Sequence, residues 1–293
     1  MKRKQSSITA QGSAAVRVIE SNKPPEQRIC YDPLARRLVN PMFYILAKLS
    51  AGYGEWRAPG TMEFIVARAR YIDDYLQTCL KNGIDQLVIL GAGLDSRAYR
   101  FEQLREHVKV FEVDHPATQQ EKCRKLAKIF GELPKHVTFV PIDFNEETLE
   151  KLYSFGYERQ RKTLFIWEGV TYYLVAEAVD SSLRFVVKNS GQGSSIIFDY
   201  VYASALTAAQ KRGEITRMQR YGRFTGEPLT FGIEEGKVGG FLGQRGYIQI
   251  ENATSEDLKR AYFTGINRDR PIAPIYAIVH ATVKSPEMGN NAV

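Results

Sequence analysis

The sequence predicts an α/β protein built on a doubly wound, mostly parallel sheet. From Leu87 onward, short apolar runs alternate with stretches of helical period, the order of successive βαβ units. The runs are apolar at nearly every position, as strands covered by helices on both faces must be. Each run also ends in an acidic residue or a glycine, and open α/β sheets bind ligands at the carboxyl ends of their strands.

The strands are expected at Leu87–Leu90, Val108–Val113, Val137–Ile142, Thr163–Trp167 and Ser195–Phe198. After the first comes Gly91; the others are closed by Asp114, Asp143, Glu168-Gly169 and Asp199. Helical stretches lie between them at Pro116–Phe130, Asn145–Phe155 and Ala176–Asn189. Ala203–Tyr221 reads as a charged helix and Gly239–Gly246 as a glycine-rich loop. Tyr247–Glu251 and Tyr276–Val283 leave room between them for only one short helix, Ser255–Tyr262, which suits an antiparallel pair at one sheet edge.

Ahead of the sheet, the first ~20 residues are small and polar and are expected to be a frayed tail. Asn22-Lys23-Pro24-Pro25 breaks any helix. Apolar residues at helical spacing from Asp32 to Leu49 predict amphipathic helix around Pro41, followed by a loop over Gly52–Gly60. Met62–Lys81 is a long helix with Phe64, Ile65, Ile72, Tyr75, Leu76 and Leu80 on one side, stopped by Asn82-Gly83. The organisation is therefore a tail and helical cap over 1–60, then one domain over 61–293 with insertions at about 203–245 and 263–272.

Composition narrows the partners. The net charge of +7 comes from scattered basic residues, with Lys2-Arg3-Lys4 the longest block, so it reads as a solvated surface and not as a nucleic-acid patch. No apolar run approaches the ~18–20 residues that span a bilayer, and no membrane role is expected. The start lacks the apolar stretch of a secretory signal. Cys30, Cys79 and Cys123 are widely spaced, which suits a reducing, cytoplasmic compartment. They and the four histidines lack metal-ligand spacing, and no metal is expected. Oligomeric state is left open.

Gly91-Ala92-Gly93 is a turn at which backbone can approach a nucleotide-like ligand. The nicotinamide fingerprint G-x-G-x-x-G would need glycine where Ser96 stands, which weighs against the competing reading of an NAD-dependent oxidoreductase. Asp114 follows about 20 residues later, where a carboxylate can accept both ribose hydroxyls. Asp143, one strand on, can accept from an adenine amino group. Carboxylates at four successive strand ends suit a ligand rich in donors.

The strings GAGLDSRAYR, FEVDHP, PIDF and WEGVTYYL, in that order between Arg68 and Tyr173, resemble the leucine carboxyl methyltransferase-like family of S-adenosylmethionine-dependent O-methyltransferases. The closing string YFTGINRDRPIAPIYAIVHA is most similar to that family's small-molecule, polyketide-type branch. The resemblance implies a class I methyltransferase sheet of Rossmann-like form with S-adenosyl-L-methionine as cofactor. It also implies roles. Arg68 would pair with the cofactor's methionine carboxylate, with Arg70 as the alternative. Gly91, Ala92 and Gly93 would lie against the cofactor. Asp114 would hold the ribose, with Glu112 as the alternative. Asp143 and Phe144 would meet the adenine, and Glu168 the methionine ammonium or the sulfonium. Asp95 and Arg97 either brace the turn or touch ligand.

Methyl transfer from a sulfonium is an in-line displacement, so the enzyme mainly aligns the acceptor and excludes water. A carboxylate acceptor needs no general base, whereas a phenol benefits from one. His115 sits in the ribose block and His280 in mid-strand, so no base is assigned. The expected acceptor is a small-molecule carboxylate or acidic hydroxyl, and the alternative is a protein's C-terminal carboxylate. Candidate acceptor-site residues are Tyr172, Tyr200, Arg223 and Arg268, from segments outside the central strands.

Overall fold

The computed structural model describes residues 8–49, 59–144, 146–206 and 229–284. Among these, seven strands form one sheet: β1 Gln86–Leu90, β2 Lys109–Asp114, β3 Val137–Pro141, β4 Thr163–Trp167, β5 Ser195–Val201, β6 Tyr247–Thr254 and β7 Tyr276–Val283. Their spatial order is β3-β2-β1-β4-β5-β7-β6. The first five pair in parallel, with Val88 opposite both Phe111 and Phe165. β7 runs antiparallel to β5 and β6, which is the expected edge pair. The chain leaves β1 in one direction for β2 and later returns to its other side as β4. That reversal opens a crevice at the carboxyl ends of β1 and β4, where open α/β sheets bind ligands.

Alternate residues of each strand feed two cores, one on each face. Leu87, Ile89, Leu164, Ile166 and Ile197 pack with Ala14, Ala15, Val18, Phe64, Ile72 and Leu76. Val88, Leu90, Phe165, Trp167 and Phe198 pack on the opposite side with Leu152, Val179, Leu183 and Val186. The helices of the first face are α1 (Ile8–Ser21), α2 (Ala35–Leu38), α3 (Pro41–Leu49) and α4 (Thr61–Lys81). After β1 come a short α5 (Arg97–Arg100) and then, following β2, α6 (Pro116–Phe130). α7 (Ala176–Lys188) and α8 (Val238–Gly243) cover the second face, and α9 (Ser255–Tyr262) links β6 to β7. α9 begins on a capping box in which Thr254 and Asp257 satisfy each other's backbone N–H groups.

Several local expectations change. The N-terminal segment is not a frayed tail from Ile8 onward: it is α1, with Ala14, Ala15 and Val18 buried. Its hidden face is built from small residues and from polar ones that find distant partners, so hydropathy does not reveal it. Arg17 Nε donates to Asp32 at 2.9 Å, and the Glu20 carboxylate accepts from Arg270 and from the Ile29 N–H. The helix expected around Pro41 is two helices. Asn40 Oδ1 caps the second by accepting from the Met42 N–H, and proline takes the first position, where its missing donor does no harm. That helix meets the first core through Phe43, Tyr44 and Ala47, whereas Met42, Ile45, Leu46 and Leu49 of its apolar residues are exposed. Leu149–Phe155 is a 3₁₀ segment, and Val238–Gly243 is helical where a loop was expected, because Val238 and Leu242 bury. β5 continues to Val201, so Asp199 lies inside the strand. The expected helix over Ala203–Tyr221 and the loop over Gly52–Gly60 fall largely outside the described residues.

One of the interior ion pairs joins β2 to α6. Glu112 of β2 and Lys122 of α6 are each 1% exposed, with Nζ 2.8 Å from Oε2. Burial pushes the Glu112 carboxyl up from its usual range, and Lys122 opposes that shift. Lys122→Met leaves the carboxylate alone in the interior and is expected to lower stability by ~3–5 kcal/mol. Adding Glu112→Leu should recover most of the loss, since an apolar pair of similar volume is often tolerated. Denaturant unfolding at neutral pH measures both.

Candidate active site

The turn after β1 is shaped by its backbone. Gly91 has φ +66°, and a Cβ there would lie 2.3 Å from Val170 Cγ2. No larger residue fits that position without moving the loop after β4. The Gly93 N–H donates to Asp114 Oδ2 at 2.5 Å, and the His115 N–H donates to Oδ1 at 2.6 Å. Asp114 therefore ties the end of β2 to the turn. Burial pushes its carboxyl up even though both N–H groups favour the charged form. Glu112, the alternative two residues earlier, points into the core toward Lys122 and not into the crevice. Lys122 Nζ also donates to the Ala92 carbonyl at 3.3 Å, holding the turn from beneath.

At the end of β3, His115 Nε2 lies 3.7 Å from Asp143 Oδ2, and the Asp143 N–H donates to Glu147. The Phe144 ring stacks 6.3 Å from Trp167, giving this end of the crevice an apolar wall beside a carboxylate.

The opposite end is dominated by charge. Arg68 of α4, 2% exposed, donates from Nε to Glu168 Oε1 at 3.0 Å. Its Nη1 donates to Asp199 Oδ2 at 2.6 Å and to the Tyr172 hydroxyl at 3.2 Å. Arg97 of α5 donates from Nη1 to Glu168 Oε2 at 2.6 Å and to Asp95 Oδ2 at 2.5 Å, and from Nε to Asp73 at 2.7 Å. Arg100 adds a second guanidinium on Asp73 at 2.6 Å. Asp199 Oδ1 accepts from the Gly169 N–H, so this buried aspartate connects Arg68 to the loop after β4. Arg70, the alternative to Arg68, is on the exposed side of α4 and pairs with Asp74. Arg17 reaches the same region from α1 and donates to the Leu94 carbonyl at 2.8 Å.

These contacts set protonation. Burial would raise the Glu168 carboxyl, but Arg97, Arg68 and Arg17 outweigh it and hold it well below the usual carboxylate range. Burial raises Asp199, with Arg68 opposing, and raises the Tyr172 and Tyr173 phenols. Three guanidiniums (Arg68, Arg97 and Arg100) thus meet four carboxylates, Asp73, Asp95, Glu168 and Asp199. With all ionised, the cluster has one negative charge in excess, which favours a ligand group of net positive charge.

Of the residues expected from sequence, the structure brings Arg68, Gly91, Ala92, Gly93, Asp114, Asp143, Phe144, Glu168 and Tyr172 to the carboxyl ends of the strands or into direct contact with residues there. Tyr200 is elsewhere: it is fully buried and donates to Asn252 on β6. Arg268 is exposed in a surface groove of about 400 Å³ with Lys259, Arg260 and Phe263. Arg223 lies outside the described residues. Sequence reading passed over Arg17 and Lys122, which act through backbone carbonyls. It noted Asp199 only as a strand end. Among the described residues no group of His, Cys, Asp and Glu is placed to hold a metal ion.

Glu168 makes acid stability diagnostic. Its folded pKa lies below the unfolded value of about 4.3, so its stabilising contribution is complete above that value and is lost as pH falls through the folded one. The stability difference between the wild type and Glu168→Gln is expected to stay constant from about pH 8 to about pH 6 and to shrink below about pH 5. Urea unfolding across that range measures it. Gly91→Ala should destabilise the turn, and Val170→Ala should relieve only the steric part, because the positive φ remains.

Residues 10–187 match the family model for leucine carboxyl methyltransferase. YktD of Bacillus subtilis, named as a candidate S-adenosyl-L-methionine-dependent methyltransferase, is 33% identical over 222 residues, covering 75% of this chain and 72% of YktD. A duf574 family protein of Streptomyces avermitilis has a similar structure, with TM-score 0.60 and 14% identity over 94% of this chain and 97% of that one. A candidate methyltransferase of Thermobifida fusca follows with TM-score 0.58 and 13% identity, covering 96% of each chain. The two solved structures agree in fold, and the sequence match decides the family: the chain is a methyltransferase that belongs to the leucine carboxyl methyltransferase family.

Proposed function

We infer that the protein methylates a carboxylate of a small-molecule, polyketide-like acceptor. Its methyl donor is S-adenosyl-L-methionine. That donor supplies a methyl group already activated by a sulfonium charge. Asp114 would accept from the ribose hydroxyls, and Asp143 from the adenine amino group beside Phe144. Arg68 would face the methionine carboxylate, and Glu168 the ammonium. The charge excess of the arginine–carboxylate cluster supports this fit, since the donor carries two positive groups and one negative.

The observation that carries the acceptor assignment is the state of the groups at the methionine end. Glu168 is held ionised by Arg97, Arg68 and Arg17 and is too weak a base to take a proton from a hydroxyl. Asp199 is fully buried, with its oxygens engaged by Arg68 and the Gly169 N–H. Tyr172 and Tyr173 keep their protons because burial disfavours the phenolates. Such surroundings suit an acceptor that is already an anion, and a carboxylate is one at neutral pH. A protein's C-terminal carboxylate has the same chemistry and is the second reading.

Two measurements test this. Transfer of labelled methyl to a panel of aromatic carboxylic acids, phenols and carboxyl-terminal peptides should yield label released as methanol by mild base, the behaviour of an ester. Base-stable label would mean a hydroxyl acceptor and overturn the assignment, and label on the peptides alone would favour the second reading. Calorimetry should show Asp114→Ala weakening binding of the methyl donor by at least ~1–3 kcal/mol. Unchanged affinity would remove Asp114 from the ribose site.

A further inference from the structure

We propose that Arg97 is a positioning residue that fixes Glu168 in its ligand-facing orientation. The proposal rests on the reading of Glu168 as the contact for the ligand's ammonium group. Glu168 follows the last residue of β4, and its side chain is held only at its two oxygens. Arg68 takes Oε1 and Arg97 takes Oε2, from two different helices, so the plane of the carboxylate is set by both. Each oxygen retains a second acceptor direction for a ligand donor.

Arg97 is built to hold and not to move. Its Nη1 is shared between Glu168 and Asp95, its Nε is on Asp73, and its Nη2 donates to the Ala69 carbonyl at 3.2 Å. Its own N–H donates to Asp95 Oδ1 at 2.7 Å, which ties the guanidinium back to the turn that carries it. Arg68 is placed differently. Its Nε and Nη1 are engaged, and its Nη2 makes no hydrogen bond to a described residue. Arg68 thus keeps donors for a ligand carboxylate, and its charge is divided among Glu168, Asp199 and that group. Arg97, with every partner inside the protein, supplies the counter-charge that keeps Glu168 ionised and oriented while Arg68 is drawn toward ligand. The charged or titratable groups facing Glu168 are Arg68 from α4, Arg97 from α5, Asp95 from the turn, Arg17 from α1 and Asp199 from β5, with Tyr172 bonded to Arg68.

The test is binding of S-adenosylhomocysteine, the demethylated product, measured by calorimetry from about pH 8 to about pH 5. Over this range the ligand's own carboxylate and ammonium keep their charges. Wild type should bind with nearly constant affinity. Arg97→Met should bind progressively more weakly toward acid, by about tenfold across the range, because Glu168 then takes up a proton. Glu168→Gln should bind weakly at every pH, with no slope. Arg97→Lys keeps a charge near Glu168 without the fork and should restore most of the affinity with a shallower slope; it decides the matter if Arg97→Met does not fold. Wild-type affinity in Glu168→Gln would overturn the ammonium assignment and the proposal with it. Weak binding in Glu168→Gln together with a flat profile in the Arg97 variants, whether at wild-type affinity or uniformly reduced, would overturn the positioning role alone.

Discussion

Glu168 divides its two carboxylate oxygens between Arg68 and Arg97, and through them four parts of the chain are joined beneath the surface. Asp199 brings in β5, Asp73 brings in α4 a second time, and Asp95 brings in the turn after β1. A buried network of this kind is not the cheapest way to hold helices on a sheet, since apolar residues of similar volume often do as well. Once present, though, removing one partner of a pair is costly, because the other charge is left in the interior without it. The positions of α4, the turn and the loop after β4 therefore depend on one another. The crevice at the switch between β1 and β4 inherits its shape from that dependence.

The turn itself is gripped from three directions. Asp114 holds the Gly93 N–H from the side, Lys122 holds the Ala92 carbonyl from below, and Arg17 holds the Leu94 carbonyl from the N-terminal helix. Each contact uses a charged group against backbone, which is stronger than a neutral hydrogen bond and directional. A ligand meeting this turn encounters backbone already in place, so little ordering remains to oppose binding. The Glu112–Lys122 pair belongs to this support and not to the ligand surface, which is why a carboxylate two residues from Asp114 has a wholly different task.

The same cluster bears on the chemistry. Arginines that hold Glu168 ionised also make it a poor base, and burial that keeps the tyrosine phenols protonated removes them from that role as well. Alignment of the acceptor and exclusion of water then remain as the means of acceleration. The proposed acceptor, which arrives as an anion, needs no base from such a site.

Much of this was legible in the sequence. The apolar runs and helical periods determine the parallel sheet, because burial on both faces leaves no polar alternation to misread, and the short link between the last two strands points to the antiparallel edge pair. The order of Gly91, Asp114, Asp143 and Glu168 after Arg68 places the proposed cofactor contacts at the carboxyl end of the sheet. What the sequence left open was decided by side-chain direction. Whether Glu112 or Asp114 faces the crevice follows from position along β2, since both lie on one face of the strand and only Asp114 stands at its carboxyl end, and whether Arg68 or Arg70 does follows from the face of α4 that packs on the sheet. α1 was illegible because its buried face, Val18 apart, consists of alanines and of polar residues whose partners, among them Asp32, Leu94 and Arg270, lie outside the helix. The sequence by itself determined the fold and the ligand class, since both rest on local pattern and residue type. Only the tertiary structure decided which charges pair, because a buried charge takes its meaning from whatever the fold sets opposite it.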